Sequence, residues 1–169
     1  MNAFRRIAIA FVLLAGSAMI TFAQDQAGVT TMAKTKFQPF PGIPACMTVS
    51  AQRGDPTKGP AVILAKFTPG CTVPWHWHTA AENVMLVSGK GKIEMKDAAA
   101  PSPVAPGDYV YLPGKHQHQF TCISACTGFI VTDGAFDIHY IDKDGNEIPP
   151  DQALKPTKKP AATKSPAKK

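Results

Sequence analysis

The chain is 169 residues long and carries 18 lysines and arginines against 12 aspartates and glutamates, a formal charge of +6. That length bounds it to one domain. The charge sits at the ends: Arg5 and Arg6 contribute +2, and residues 151–169, with six lysines and one aspartate, contribute +5, which leaves residues 24–150 at −1. The middle of the chain is therefore nearly neutral, and its composition gives no ground for a nucleic-acid surface.

Residues 1–23 read as a cleavable export signal. Arg5 and Arg6 give a positive start, an apolar run follows, and Thr21-Phe22-Ala23 ends like a signal-peptidase site, with Gln24 as the mature start. The rival reading is a retained anchor, for which the uncharged run is short against a hydrocarbon core of ~30 Å. The expected location is the periplasm or the exterior. Residues 24–45 hold several Pro and Gly breaks and read as an extended arm laid over the domain.

From residue 46 the pattern is one of short strands. Strands are expected over 46–50, 61–67, 83–87, 92–96, 108–112, 117–122, 127–132 and 136–141, with a strand carrying histidines after Pro69-Gly70. Arg53-Gly54-Asp55-Pro56 and Ser88-Gly89-Lys90-Gly91 mark turns. Arg-Gly-Asp is read here as a turn, not an adhesion site. Residues 97–106 read as an Ala/Pro loop. No segment of the mature chain sustains a helical period. Many short strands and 16 prolines point to an all-β barrel or sandwich, and ~125 residues suffice for one small core. The domain is expected over 46–150. Residues 151–169, rich in Lys, Pro and Ala, read as a disordered tail. Weak attachment of that tail to anionic envelope polymers is the sharper alternative to a merely solvated end.

Four of the five histidines fall in two pairs, His76/His78 and His116/His118. In an extended strand alternate residues share a face, so His76 and His78 point one way while Trp75 and Trp77 point the other. Glu82 follows closely. Two imidazoles and a carboxylate make most of a shell for a divalent metal, and the second pair supplies another ligand. His118 is the expected fourth ligand and His116 a reserve ligand or second-layer donor. His139 reads as a surface residue that could otherwise line the pocket; Met85, Tyr109 and Phe120 are candidate pocket walls. All four cysteines lie in the exported part, and an even number there favours disulfides. Cys122 and Cys126 flank a hairpin tip and are expected to pair, which leaves Cys46 with Cys71. Four cysteines allow three pairings, and spacing alone does not choose. A metal-ligating or reactive Cys71 is the rival reading.

These residues carry a resemblance. Gly70, His76, His78, Glu82 and Gly89 match every fixed position of the first cupin motif. Gly107, Pro113 and His118 match the second motif more loosely: its second glycine falls at Lys115, with Gly114 one place early, and its last asparagine falls at Cys122. The chain thus resembles small single-domain bacterial cupins over about residues 46–141. The resemblance implies a cupin β-barrel, a double-stranded β-helix or jelly roll. It also implies one divalent metal (Fe, Mn, Ni, Zn or Cu) on His76, His78, Glu82 and His118. Many cupins form dimers, so a homodimer is an expected assembly. The expected activity is that of a small-molecule metalloenzyme, a dioxygenase-like oxidoreductase ahead of a decarboxylase or isomerase. The alternative is a non-catalytic domain that binds or senses a small ligand through the metal. No acid or base beyond the ligands stands out.

Overall fold

The computed structural model of the protein describes residues 27–155. The expected signal segment 1–23 and residues 156–169 of the expected tail lie outside the described residues.

Among the described residues eleven strands form: β1 (Met47–Arg53), β2 (Ala61–Phe67), β3 (Thr72–Trp77), β4 (Glu82–Ser88), β5 (Gly91–Met95), β6 (Ser102–Val104), β7 (Tyr109–Leu112), β8 (His118–Cys122), β9 (Cys126–Thr132), β10 (His139–Ile141) and β11 (Glu147–Ile148). They build a five-stranded sheet in the order β1-β2-β9-β4-β7 and a six-stranded sheet in the order β11-β10-β3-β8-β5-β6. All neighbours are antiparallel. This is the all-β jelly-roll class expected from the sequence.

The sheets face each other across one core because each strand is apolar on one side. Along β9, burial alternates residue by residue, with Cys126, Gly128, Ile130 and Thr132 inside. β2 turns Ala61, Ile63, Ala65 and Phe67 inward. From the other sheet, Ile93 of β5 and Phe120 of β8 meet them, and the rings of Phe67 and Phe120 stand 5.8 Å apart. Each large side chain buried this way contributes about 1.5–3 kcal/mol. Tyr109 and Tyr111 of edge strand β7 point outward and are exposed, so Tyr109 is no pocket wall.

The N-terminal arm lies over the domain. Gln38 and Val49 exchange backbone hydrogen bonds of 2.8 Å, Tyr140 donates its hydroxyl to the Gly42 carbonyl at 2.8 Å, and Ile43 is buried. Three local expectations need correction. Residues 102–104, inside the expected Ala/Pro loop, pair with β5 as strand β6. Residues 136–138 are irregular, and only His139–Ile141 is strand. A short helix α1 (Pro150–Ala153) seats Ala153 and Leu154 against the core, so ordered chain continues past the expected boundary at 150. Each element is too short to carry a period, and pairing or packing against β5 or the core decides it.

Both expected disulfides are present, Cys46–Cys71 and Cys122–Cys126. Among the described residues no cysteine is free. The pairs are neighbours: Cys122 donates its backbone N–H to the Cys71 carbonyl at 2.8 Å, and Gly70 donates to the Cys122 carbonyl at 2.8 Å. The first bond spans 25 residues and the second spans 4. A longer closed loop restricts the unfolded chain more. Replacing Cys46 and Cys71 by alanine is therefore expected to cost about 3 kcal/mol, and replacing Cys122 and Cys126 about 2 kcal/mol. Denaturant midpoints of the two double variants check the order.

Candidate metal centre

The site begins with an irregularity in β3. This strand lies between β10 and β8, where a proline would interrupt a ladder, yet Pro74 sits in it. The register against β8 shifts between Val73 and His76, which places Pro74 and Trp75 in a bulge. The extra residue re-aims the strand, so Val73, His76 and His78 all face the interior. Trp75 and Trp77 are left on the outer side, and Trp77 stacks on His139 with ring centroids 3.9 Å apart and planes 3° from parallel. His139 is a surface residue, held between Glu147 at 3.2 Å and Asp137 at 3.3 Å.

His76 on β3 lies directly opposite His118 on β8, and their rings stand 4.1 Å apart. His78 follows the end of β3, 4.8 Å from His76 ring to ring. Glu82 opens β4 in the other sheet, opposite Leu112 and Thr132. All four side chains are buried. The three imidazole ligand atoms lie within 4.8 Å of one another. Oε2 of Glu82 stands 3.6 Å from Nε2 of both His78 and His118. The carboxylate thus closes the group from the opposite sheet.

Each imidazole is held by a main-chain carbonyl. Nδ1 of His76 donates to the Pro74 carbonyl at 2.6 Å, Nδ1 of His118 to the His116 carbonyl at 2.9 Å, and Nδ1 of His78 to the Asp137 carbonyl. A carbonyl oxygen only accepts, so the proton of each neutral ring belongs on Nδ1 and the lone pair on Nε2. Three lone pairs are thereby aimed into one space. Nε2 of His78 is buried with no hydrogen-bond partner, an arrangement that costs about 1–3 kcal/mol unless something fills it. Burial, with His118 and His78 as positive neighbours when charged, pushes the His76 pKa well below its usual 6.5. For Glu82 burial acts upward, but His78 and His118 outweigh it and hold the carboxyl below its usual range. A cation needs imidazole ligands that are neutral and a carboxylate that is ionised, and the shifts of His76 and Glu82 run in those directions.

The donor set fits a first-row divalent ion. Two nitrogens about 2.1 Å from one ion lie at most about 4.2 Å apart, so the 4.8 Å limit leaves an inward shift of a few tenths of an ångström. Val84, Val110, Leu112, Phe120 and Ile130 are among the apolar walls of the cavity around the group, whose volume is about 50 Å³. Of the candidate walls Met85, Tyr109 and Phe120, only Phe120 lines it.

The cupin domain family matches residues 63–132. Residues 63–132 are a cupin domain. Solved structures agree on the fold. The polyketide cyclase RemF of Streptomyces resistomycificus superposes with a TM-score of 0.59 at 16% identity, over 76% of this chain and 99% of that one. An RmlC-like cupin of Ralstonia eutropha gives 0.56 at 23% identity, over 73% and 77% of the two chains. A cupin-2 domain protein of Rhodospirillum rubrum gives 0.55 at 19%, over 71% and 83%. At these identities the likeness is one of fold. No curated protein matches the chain.

The structure brings together His76, His78, His118 and Glu82 and leaves His116 apart. The regular strand starts at His118, so His116 does not share its face. The Nε2 of His116 instead lies 3.5 Å from the exposed Asp97 carboxylate. Its role in the cupin site is that of its carbonyl, which holds His118. The looser second motif also becomes clear. Lys115, at the motif's glycine position, has φ of 65°, the left-handed conformation that the glycine would adopt. Its N–H donates to the His78 carbonyl at 2.7 Å. Gly114 beside it packs so closely on Thr79 that a Cβ would fall 2.6 Å from the Thr79 carbonyl oxygen.

Sequence reasoning missed the 133–138 segment. Asp137 gives its carbonyl to His78 and its carboxylate to the Thr79 N–H at 2.7 Å, while Asp133 accepts the Ala81 N–H at 2.8 Å. Together they pin the loop between His78 and Glu82. Phe136 lies 4.9 Å from the His78 ring. No local motif marks these residues, because they act through backbone groups some 50 to 60 positions away.

Two outcomes follow from this geometry. Asp137→Ala removes the Thr79 hydrogen bond and is expected to cost about 1–2 kcal/mol of stability and to weaken metal binding about 10-fold; denaturant titration and competition with a chromogenic chelator measure the two effects. The pH response has a definite sign. With the folded pKa of His76 below the unfolded one, the unfolded chain binds more protons on acidification. Stability of metal-free protein is therefore fully present above the usual histidine value of 6.5 and is lost as pH falls below it. The Glu82 contribution is lost only on further acidification, below its usual 4.5. Melting curves of chelator-treated protein at several pH values test this, and a melting temperature that rises towards acid contradicts it.

Proposed function

We propose that this cupin is an exported metalloprotein whose His76, His78, His118 and Glu82 hold one divalent transition metal, and that it acts on a small oxygenated molecule as a dioxygenase-like oxidoreductase. The observation that carries the metal reading is the buried, unpartnered Nε2 of His78, aimed at two further imidazoles and a carboxylate. A bound metal would supply Lewis acidity and, for iron or manganese, electron transfer. The chain's own groups do the rest. The carbonyls of Pro74, His116 and Asp137 orient the imidazoles, and the carboxylate of Glu82 balances positive charge from the facing sheet. The apolar walls keep water out. Export is supported by the N-terminal signal pattern and by two disulfides, which persist in oxidising compartments. A second copy of the chain and, through the lysine-rich end, anionic envelope polymers are the proposed partners besides the small ligand.

A second reading is a domain that binds or senses a small ligand through the metal without turnover. It is favoured by the lining of the cavity, where Glu82 is the one acidic group and no further acid or base stands beside the histidines.

Elemental analysis of protein recovered from its own exported fraction tests the metal reading. About one equivalent of metal per chain is expected, falling to background in His76→Ala and His118→Ala, with an affinity loss of about 10–100-fold in Glu82→Gln. Metal-free wild type would refute it. Oxygen uptake by iron-loaded protein with a panel of small acids separates the enzyme from the sensor.

A further inference from the structure

The cavity is lined in part by two segments that the cupin motifs do not include. Ile43 and Phe136 line the cavity with the three histidines, as does Ile138. Ile43 comes from the N-terminal arm, while its neighbours Pro41 and Ala45 are exposed, so this stretch lies between the cavity and solvent. Phe136 and Ile138 come from the irregular segment after β9. The two segments grip each other. Phe40 packs edge-on against Phe136 at 5.6 Å. A Cβ on Gly42 would stand 3.2 Å from Cγ2 of Ile138. The Tyr140 hydroxyl holds the Gly42 carbonyl. The adjoining Cys46 is bonded to Cys71. The plug is thus tied at both ends.

The space is about 50 Å³. A cavity of about 150 Å³ is one that takes benzene, so a space a third of that size leaves room beside a cation for only a few non-hydrogen atoms. A phenolic ring is larger than that. Resting on the metal reading above, we infer that Phe40, Ile43, Phe136 and Ile138 form an apolar plug that sets a size limit at the metal. The site then takes a very small oxygen-bearing or anionic ligand, of the size of dioxygen or formate, and rejects aromatic acids and phenols. Ile43 and Phe136 are the specificity-determining residues, since they reach the histidines' cavity itself.

Cobalt(II)-loaded protein reads ligand binding directly through its visible absorption, without any assay of turnover. In the wild type, azide and formate are expected to shift the spectrum, while benzoate and catechol leave it unchanged at the same concentrations. Ile43→Ala and Phe136→Ala should admit catechol, with its affinity raised at least about 10-fold. Phe136→Leu keeps an apolar side chain if the alanine variant does not fold, and it should give a smaller gain. The wild-type series decides the size limit whatever the variants do. Benzoate or catechol binding to wild type as tightly as formate would overturn the plug while leaving the metal reading intact. Failure of wild type to take up cobalt would overturn the metal reading and the size limit together.

Discussion

Three imidazole rings turned by three main-chain carbonyls are the constraint on which this molecule depends. Nothing about a histidine side chain alone says which nitrogen carries its proton. Here Pro74, His116 and Asp137 each present an acceptor to Nδ1, and the lone pairs converge on Nε2. The carbonyls come from a bulge, from the residues before a strand and from a long loop. The site therefore depends on all three holding still. That explains the density of backbone anchors around it, from the Lys115 N–H on His78 to the carboxylates of Asp133 and Asp137 on the 79–81 loop.

Burial gives this arrangement its chemical meaning. A surface cluster of histidines would be satisfied by water. In an apolar cavity Nε2 of His78 has no such partner, and burial makes the protonated form of His76 unfavourable. Glu82 stays ionised because the imidazoles outweigh the burial that works against it. Two sheets are required for this: the histidines ride on the six-stranded sheet and Glu82 on the five-stranded one. The disulfides staple the same structure from the side. Cys71 precedes the histidine strand, and Cys122 ends the strand that begins with His118.

The strands that carry a two-residue alternation, such as β5 and β9, were legible because burial on one face writes that alternation into the sequence. β6 and α1 were not, since three or four residues carry no period and only a neighbour fixes them. His76, His78 and Glu82 were legible through spacing, and His118 through its place in the second motif. His116 shares the face of His118 only on a regular strand, and the strand begins at His118, so the carbonyl of His116 rather than its ring meets His118. Asp133, Phe136 and Asp137 left no trace, because they contribute a carbonyl, a carboxylate contact and a ring face across long sequence distances.

The amino-acid sequence by itself determined the class of fold, the likeness to cupins, the disulfide candidates and the identity of the four side chains, because those depend on residue type and short-range spacing. Tertiary structure alone decided which nitrogen each histidine presents and that Glu82 faces them from the opposite sheet. It also decided that an arm and a loop far apart in sequence line one cavity of about 50 Å³. Those are properties of direction and enclosed volume, and they exist only once distant backbone groups have been brought together.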